Sequence, residues 1–391
     1  MRPLTLLFVA LFNSILGLSV LFPVLGPLGR ELGLREVHVG LFTTGYASTQ
    51  FLMSAYWGRR SEVSGRKPIL LIGILGFATT FLAFAVIAQL GRGGAITGQA
   101  LFLSLLATRL LGGVFSSATL PTAQAYVADV TGRQDRAAGM GMIGAAFGLA
   151  LVFGPALGAL LAPIDLLLPV YVSSAVAFVN ALFVWKALPE PERKQRSAAP
   201  TRLRPVARRL ASLLMLSLVV TLSSVAMEQT VSFHFQDRLA LSNEGTTQSV
   251  GLSLVIYGVV AVVVQGGFVR RTKWPPLRLV SLGVPLAVTG LVALVFAQSQ
   301  TALIAAMALQ GLGQGLTLPG LMAAISLRTR DDEQGAAAGL TSSAQGLGRV
   351  LGPLLGTALY ELRPEYPYAA GAAMLVVAGL VALALRPAGS T

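Results

Sequence analysis

The sequence predicts an all-α polytopic membrane protein, with twelve transmembrane helices in two pseudo-symmetric six-helix bundles. Three observations lead there. The chain is 54% hydrophobic and only 12% charged, against roughly 25% charged in a soluble domain, and its mean hydropathy is +0.73. Its apolar residues fall into twelve runs, each near the ~20 residues that cross ~30 Å of hydrocarbon as a helix. They are approximately Leu4–Leu28, Val37–Trp57, Pro68–Leu90, Gly98–Ala128, Ala137–Ala162, Leu166–Leu188, Leu210–Phe235, Val250–Val269, Leu277–Ala297, Ala302–Leu327, Gly335–Tyr360 and Tyr368–Leu385. Finally, two motifs recur at one common offset. Thr119-Leu120-Pro121 returns as Thr317-Leu318-Pro319, and Gly154-Pro155-x-x-Gly158 returns as Gly352-Pro353-x-x-Gly356. A shared register of this kind marks an internal repeat of parallel halves.

The first run is followed by no small-residue cleavage site, so it reads as a retained helix and not as a signal peptide. With the N-terminus placed inside, most of the 29 lysines and arginines fall in inside segments. Arg30, Arg35, Arg92, Arg238 and Arg363 fall outside, and Arg109 and Arg349 fall within spans. This bias places both termini in the cytoplasm. The polar stretch 189–209, rich in Pro, Arg, Lys and Ser, reads as a cytoplasmic linker between bundles at 1–188 and 210–391.

Several chemistries are excluded. The chain has no cysteine, so it has no disulfide, thiolate nucleophile or zinc–thiolate site. Its two histidines, His38 and His234, are too few and too scattered for a histidine metal site. A net charge of +13 would suggest nucleic acid in a soluble protein. Here the cations sit between spans, and topology and anionic lipid account for them. No GxSxG, HExxH or Walker A pattern is present. The expectation is therefore no cofactor, no metal and no nucleic acid; the partners are the bilayer, a small-molecule substrate and protons, and the chain acts as a monomer.

Some residues invite a role by themselves. Glu228, in Met227-Glu228-Gln229-Thr230, is the one acid well inside a predicted span. Burial favours the neutral form of a carboxyl, so a lone membrane acid is a natural proton carrier or cation-binding group. Arg349 lies near the middle of the eleventh span, and its register mate in the first half is Leu151, so the repeat does not explain it. A midplane arginine could bind an anionic substrate group or pair with Glu228. Asn13, Tyr46, Gln50, Gln229, Phe233, Tyr257, Gln310 and Gln314 are the polar or aromatic residues on helices expected to line a cavity. Apolar walls with a few polar groups suit amphipathic ligands.

Between the second and third runs lies Gly58-Arg59-Arg60-Ser61-Glu62-Val63-Ser64-Gly65-Arg66-Lys67-Pro68, read as a short cationic loop at a membrane surface. Its spacing of glycine, acid, glycine and Arg-Lys resembles the signature loop between helices 2 and 3 of the major facilitator superfamily, with Glu62 where that family normally has Asp. In the first span, Gly17-Leu18-Ser19-Val20-Leu21-Phe22-Pro23-Val24-Leu25 resembles the helix-1 signature of the twelve-helix drug:proton antiporters, the tetracycline-efflux-like branch. Many members of that branch carry an acid earlier in this helix; this chain has Ser14 there, beside Asn13. Arg109-Leu110-Leu111-Gly112-Gly113 resembles the family's R-x-x-x-G motif, linked to proton coupling. Gly144, Gly148, Ala150, Gly154, Pro155 and Gly158 resemble its antiporter motif, which is associated with exporters.

The resemblance implies a major facilitator fold and a secondary active transporter. It also implies proton-coupled efflux of a small amphipathic compound across a bacterial inner membrane. Arg109 and Glu228 are the expected coupling residues. Gly58, Glu62, Gly65, Arg66, Asp129, Gly154 and Pro155 are the expected gating residues, with Asp129 and Glu62 as partners for Arg66, Arg59 or a helix N-terminus. A proton-coupled or facilitated importer of a sugar, siderophore or other metabolite is the alternative within transporters. A membrane enzyme or receptor is the distant one.

Overall fold

The computed structural model describes residues 3–132, 136–191, 203–330 and 333–384. Most of the expected linker, residues 192–202, lies outside the described residues. The described chain forms α1 (Pro3–Ser19), α2 (Leu21–Glu31), α3 (Glu36–Ser64), α4 (Arg66–Arg92), α5 (Gly98–Ser116), α6 (Thr119–Val130), α7 (Arg136–Leu161) and α8 (Leu168–Ala187). It continues with α9 (Leu203–Leu239), α10 (Asn243–Val263), α11 (Pro276–Phe296), α12 (Gln300–Leu327), α13 (Gln334–Leu362) and α14 (Tyr366–Ala384). Taken as rods, with α1 joined to α2 and α5 to α6, these are the twelve spans. Among the described residues nine rods are long and apolar enough alone to cross a membrane; α3, α13 and α14 complete the set.

Proline sets the two breaks. Pro23 has no N–H to offer the Ser19 carbonyl and its ring crowds that carbonyl; α1 stops at Ser19 and α2 begins at Leu21. Pro121 stands in the same relation to Ser117, and the chain breaks between Ser116 and Thr119. Its repeat partner Pro319 lies inside the unbroken α12. α10 ends in a π-helical turn, Val264–Val269.

The chain divides into two compact units, Met1–Arg196 with Leu241–Val255, and Ser197–Ala240 with Ile256–Thr391. Within each, the repeated Gly-Pro motif does the same work. In the first unit a Cβ on Gly154 would collide with Ser19, and one on Gly158 would come within 2.8 Å of the Val20 carbonyl oxygen. α7 therefore packs directly on the α1–α2 break, where Ser19 Oγ donates to the Ala150 carbonyl at 2.7 Å. In the second unit Gly348, Gly352 and Gly356 bring α13 against α9, where added Cβ atoms would meet the Leu218 and Leu222 carbonyls and Ala226 at 2.9 to 3.0 Å. Small residues every four positions let two backbones approach this closely.

Charged residues tie the helix ends. Arg92 bridges Glu31 at 2.6 Å and Asp165 at 2.9 Å. Arg30 pairs with Glu36 at 2.8 Å, and Arg238 with Glu365 at 2.6 Å. Such pairs contribute about 0–1 kcal/mol each. Arg209 hydrogen-bonds Glu333 and holds that carboxyl below its ordinary range.

Candidate functional site

The expected loop at Gly58–Pro68 is helical almost throughout. α3 runs on to Ser64 and α4 starts at Arg66, so Gly65 alone joins them. Gly65 has φ +99°, and a Cβ there would sit 3.0 Å from a Glu190 oxygen. The positive φ demands glycine, and the missing side chain leaves room for the carboxylate. The Glu190 carboxylate accepts the backbone N–H groups of Arg66 (2.6 Å) and Lys67 (2.9 Å), two donors that the start of α4 leaves unpaired. Arg66 reaches Asp129 through Nε at 2.8 Å and Ser61 Oγ through Nη1 at 2.6 Å. Tyr126 Oη donates to the Pro189 carbonyl at 2.8 Å. The expected pairing of Asp129 with Arg66 is present. Glu62 is exposed and forms no ion pair among the described residues. Gly58 has only an ordinary contact, its Cβ position lying 3.7 Å from Pro121.

In the first unit Arg109 is only 4% exposed. Its guanidinium carbon lies 4.6 Å from the Tyr46 ring centre and 5.8 Å from those of Phe81 and Phe84. Its Nε has no hydrogen-bond partner among the described residues. Tyr46 is itself buried and donates to Ser116 Oγ at 2.6 Å, with the half-buried Gln50 reaching the same oxygen at 3.5 Å. Asn13 is half-buried. Beside it Ser14 is used structurally, bonding the Ala10 carbonyl and accepting from Asn180 of α8 at 3.3 Å.

In the second unit Glu228 is half-buried. One turn earlier Ser224 donates its hydroxyl to Glu228 Oε1 at 3.2 Å, and its oxygen lies 3.2 Å from Tyr257 Oη. A serine has one hydroxyl proton. With that proton on Glu228, Tyr257 is the donor of the second bond, and the line runs Tyr257 to Ser224 to Glu228. Arg349 is exposed and close enough to act on the Glu228 carboxylate electrostatically.

The other expected lining residues separate. Gln229 is buried beside Glu228 in sequence, and Gln310 and Gln314 are 0% and 3% exposed. Phe233 is 1% exposed and packs on Tyr360 at 5.8 Å between ring centres. Five residues along the helix turn it about 140° away from Glu228. Ser224, Asn180 and Glu190 were missed. Ser224 had a readable signal, standing four residues from a membrane acid and so on its face; the other two are joined to their partners by tertiary packing alone.

The Major Facilitator Superfamily model matches residues 7–301 and 272–391. Among known relatives, "Multidrug resistance protein 1" of Bacillus subtilis is 27% identical over 93% of this chain and 91% of its own length. "Tetracycline resistance protein, class C" of Escherichia coli is 30% identical over 88% of this chain and 86% of its own. Of solved structures, the nucleoside transporter NupG aligns with TM-score 0.78 at 12% identity, covering 98% of this chain and 99% of that one. The human organic anion transporter MFSD10 aligns with TM-score 0.68 at 24% identity, covering 97% and 99%. With its twelve rods, its repeated glycine seams and a family match along nearly its whole length, the chain belongs to the Major Facilitator Superfamily: it is a multi-pass membrane transporter and not an enzyme.

Proposed function

We propose that the chain is a proton-coupled exporter of a small amphipathic compound, working in a bacterial inner membrane with both termini in the cytoplasm. The single observation that carries the coupling is Glu228. It is the carboxylate of a membrane span, half-buried, bonded by a hydroxyl and within the field of Arg349. A hydroxyl can donate to the ionised carboxylate and accept from the protonated acid, so this site suits a group that changes charge in every cycle. Proton and substrate then favour different conformations, and each shifts the population between states open to opposite sides. The resistance to multiple drugs and to tetracycline for which the relatives are named supports the outward direction and the amphipathic substrate. The bias of arginine and lysine between spans supports the orientation, and residues 1–188 and 210–391 serve as the halves that move, joined through 189–209.

The test is substrate-driven proton flux in proteoliposomes across a panel of amphipathic cations, zwitterions and anions. Export of at least one compound with counterflow of protons is expected. Transport that ignores an imposed pH gradient for every compound carried would overturn the coupling.

A further inference from the structure

Gln310 and Gln314 stand one turn apart on α12. The Gln310 amide oxygen and nitrogen and the Gln314 amide nitrogen have no hydrogen-bond partner among the described residues. The pair shares a helix face with Leu303, Met307 and Leu321, at most 1% exposed, so this face is turned into the unit. α12 rests on α9 as well as on α11. Each buried polar group left unpaired costs ~1–3 kcal/mol, and an ordered water with roughly 2–4 hydrogen bonds is the usual way to avoid that cost. The residue between them in sequence, Gly311, lies against the backbone of Tyr257. Tyr257 reaches Ser224, and Ser224 reaches Glu228. Gly311 brings that turn of α12 against α10, about 100° around the helix from Gln310, whose own backbone lies against Gly290 of α11.

We propose that Gln310 and Gln314 hold an internal water on the buried face of α12, and that this water extends the Tyr257–Ser224–Glu228 line into that helix. The two glutamines are then positioning residues for the proton on Glu228. This second clause rests on Glu228 as the proton carrier; the hydration does not. Water both donates and accepts, which matches two amide nitrogens and one amide oxygen. An apolar occupant would leave all three unpaired. The charged and titratable groups that act on the line are Glu228 itself, Arg349 of α13 and Tyr257 of α10.

The experiment uses the full-length protein with Gln310→Leu and Gln314→Leu, and Gln314→Met in case leucine packs badly. Thermal unfolding is measured together with a pH titration of the protonated-carboxyl infrared band that Glu228→Gln removes. Leucine keeps the volume and removes the hydrogen bonds. If water is held, the variants melt a few degrees lower and the titration midpoint moves by half a pH unit or more. If the amides are dry, leucine relieves unpaired groups; a Tm that stays or rises overturns the hydration. A lower Tm with an unmoved midpoint overturns the positioning role and leaves a structural water. Absence of any band assignable to Glu228 overturns the coupling proposal instead, while the direction of the Tm change still decides the water.

Discussion

Arg109 and Glu228 are both ionisable groups inside membrane spans, one in each unit, and they are held in opposite ways. Arg109 is closed off by three aromatic rings and its Nε meets no polar partner. Glu228 is half-buried and meets a hydroxyl, with a second hydroxyl and a guanidinium nearby. An arginine does not give up its proton in a protein, so a fixed nest of ring faces can hold it for good. A carboxylate that changes state needs neighbours that serve both states, and hydroxyls do. The two groups differ in their surroundings more than in their place: one is enclosed among ring faces and the other meets hydroxyls.

Glu228→Gln should have the largest effect. The amide keeps the volume but carries no proton, so pH-gradient-driven export should fall to background while the melting temperature stays near that of the parent. Normal coupled export by this variant would dissolve the contrast. Next is Arg109→Ala, which removes a buried stack and leaves a cavity. A loss of about 2–4 kcal/mol in thermal or denaturant unfolding is expected, with the Glu228 titration unmoved. A shift in that titration would show the two ions to be coupled.

Gly154→Ala drives a methyl into Ser19 and should cost about 1–3 kcal/mol as overpacking, read as a lower Tm. Arg349→Lys keeps the charge but loses bidentate grip. Export of anionic or zwitterionic compounds should drop several-fold and that of purely cationic ones should hold, at a stability change within about 0.5 kcal/mol for this exposed site. Equal loss for both ligand types with a lower Tm would make Arg349 structural. Glu62→Ala should be the mildest, within about 0.5 kcal/mol in stability, with turnover falling more than substrate affinity; the reverse pattern would place Glu62 at a binding site.

The twelve spans were legible because hydrocarbon imposes length and apolarity on every crossing, and no soluble constraint competes. The repeat was legible because a seam that excludes a Cβ admits almost nothing but glycine: Gly154 and Gly352 read the same in sequence and pack the same way in each unit. Glu228 stood out because an acid in a span is costly. Other residues were less legible. Phe233 reads as a lining residue because it is aromatic on a span expected to line a cavity, and it lies about 140° around the helix from Glu228. The Gly58–Pro68 segment looked like a loop because its charges end the apolar run, yet charge ends a hydrophobic span without ending a helix. Glu190 gave no sign, since nothing local marks an acid whose donors are more than a hundred residues away.

The joint at Gly65 has a mechanical consequence. α3 has 29 residues and α4 has 27, so two rods of roughly 40 Å each meet at a single residue. They form a lever with almost no hub. A swing of about five degrees there would carry the far end of either arm by roughly 4 Å, more than two residues of helical rise. The Glu190 carboxylate on the first N–H groups of α4, and the Arg66 bridge to Asp129, therefore do more than satisfy local bonds. They fasten one corner of two spans that also pack along their lengths on α5.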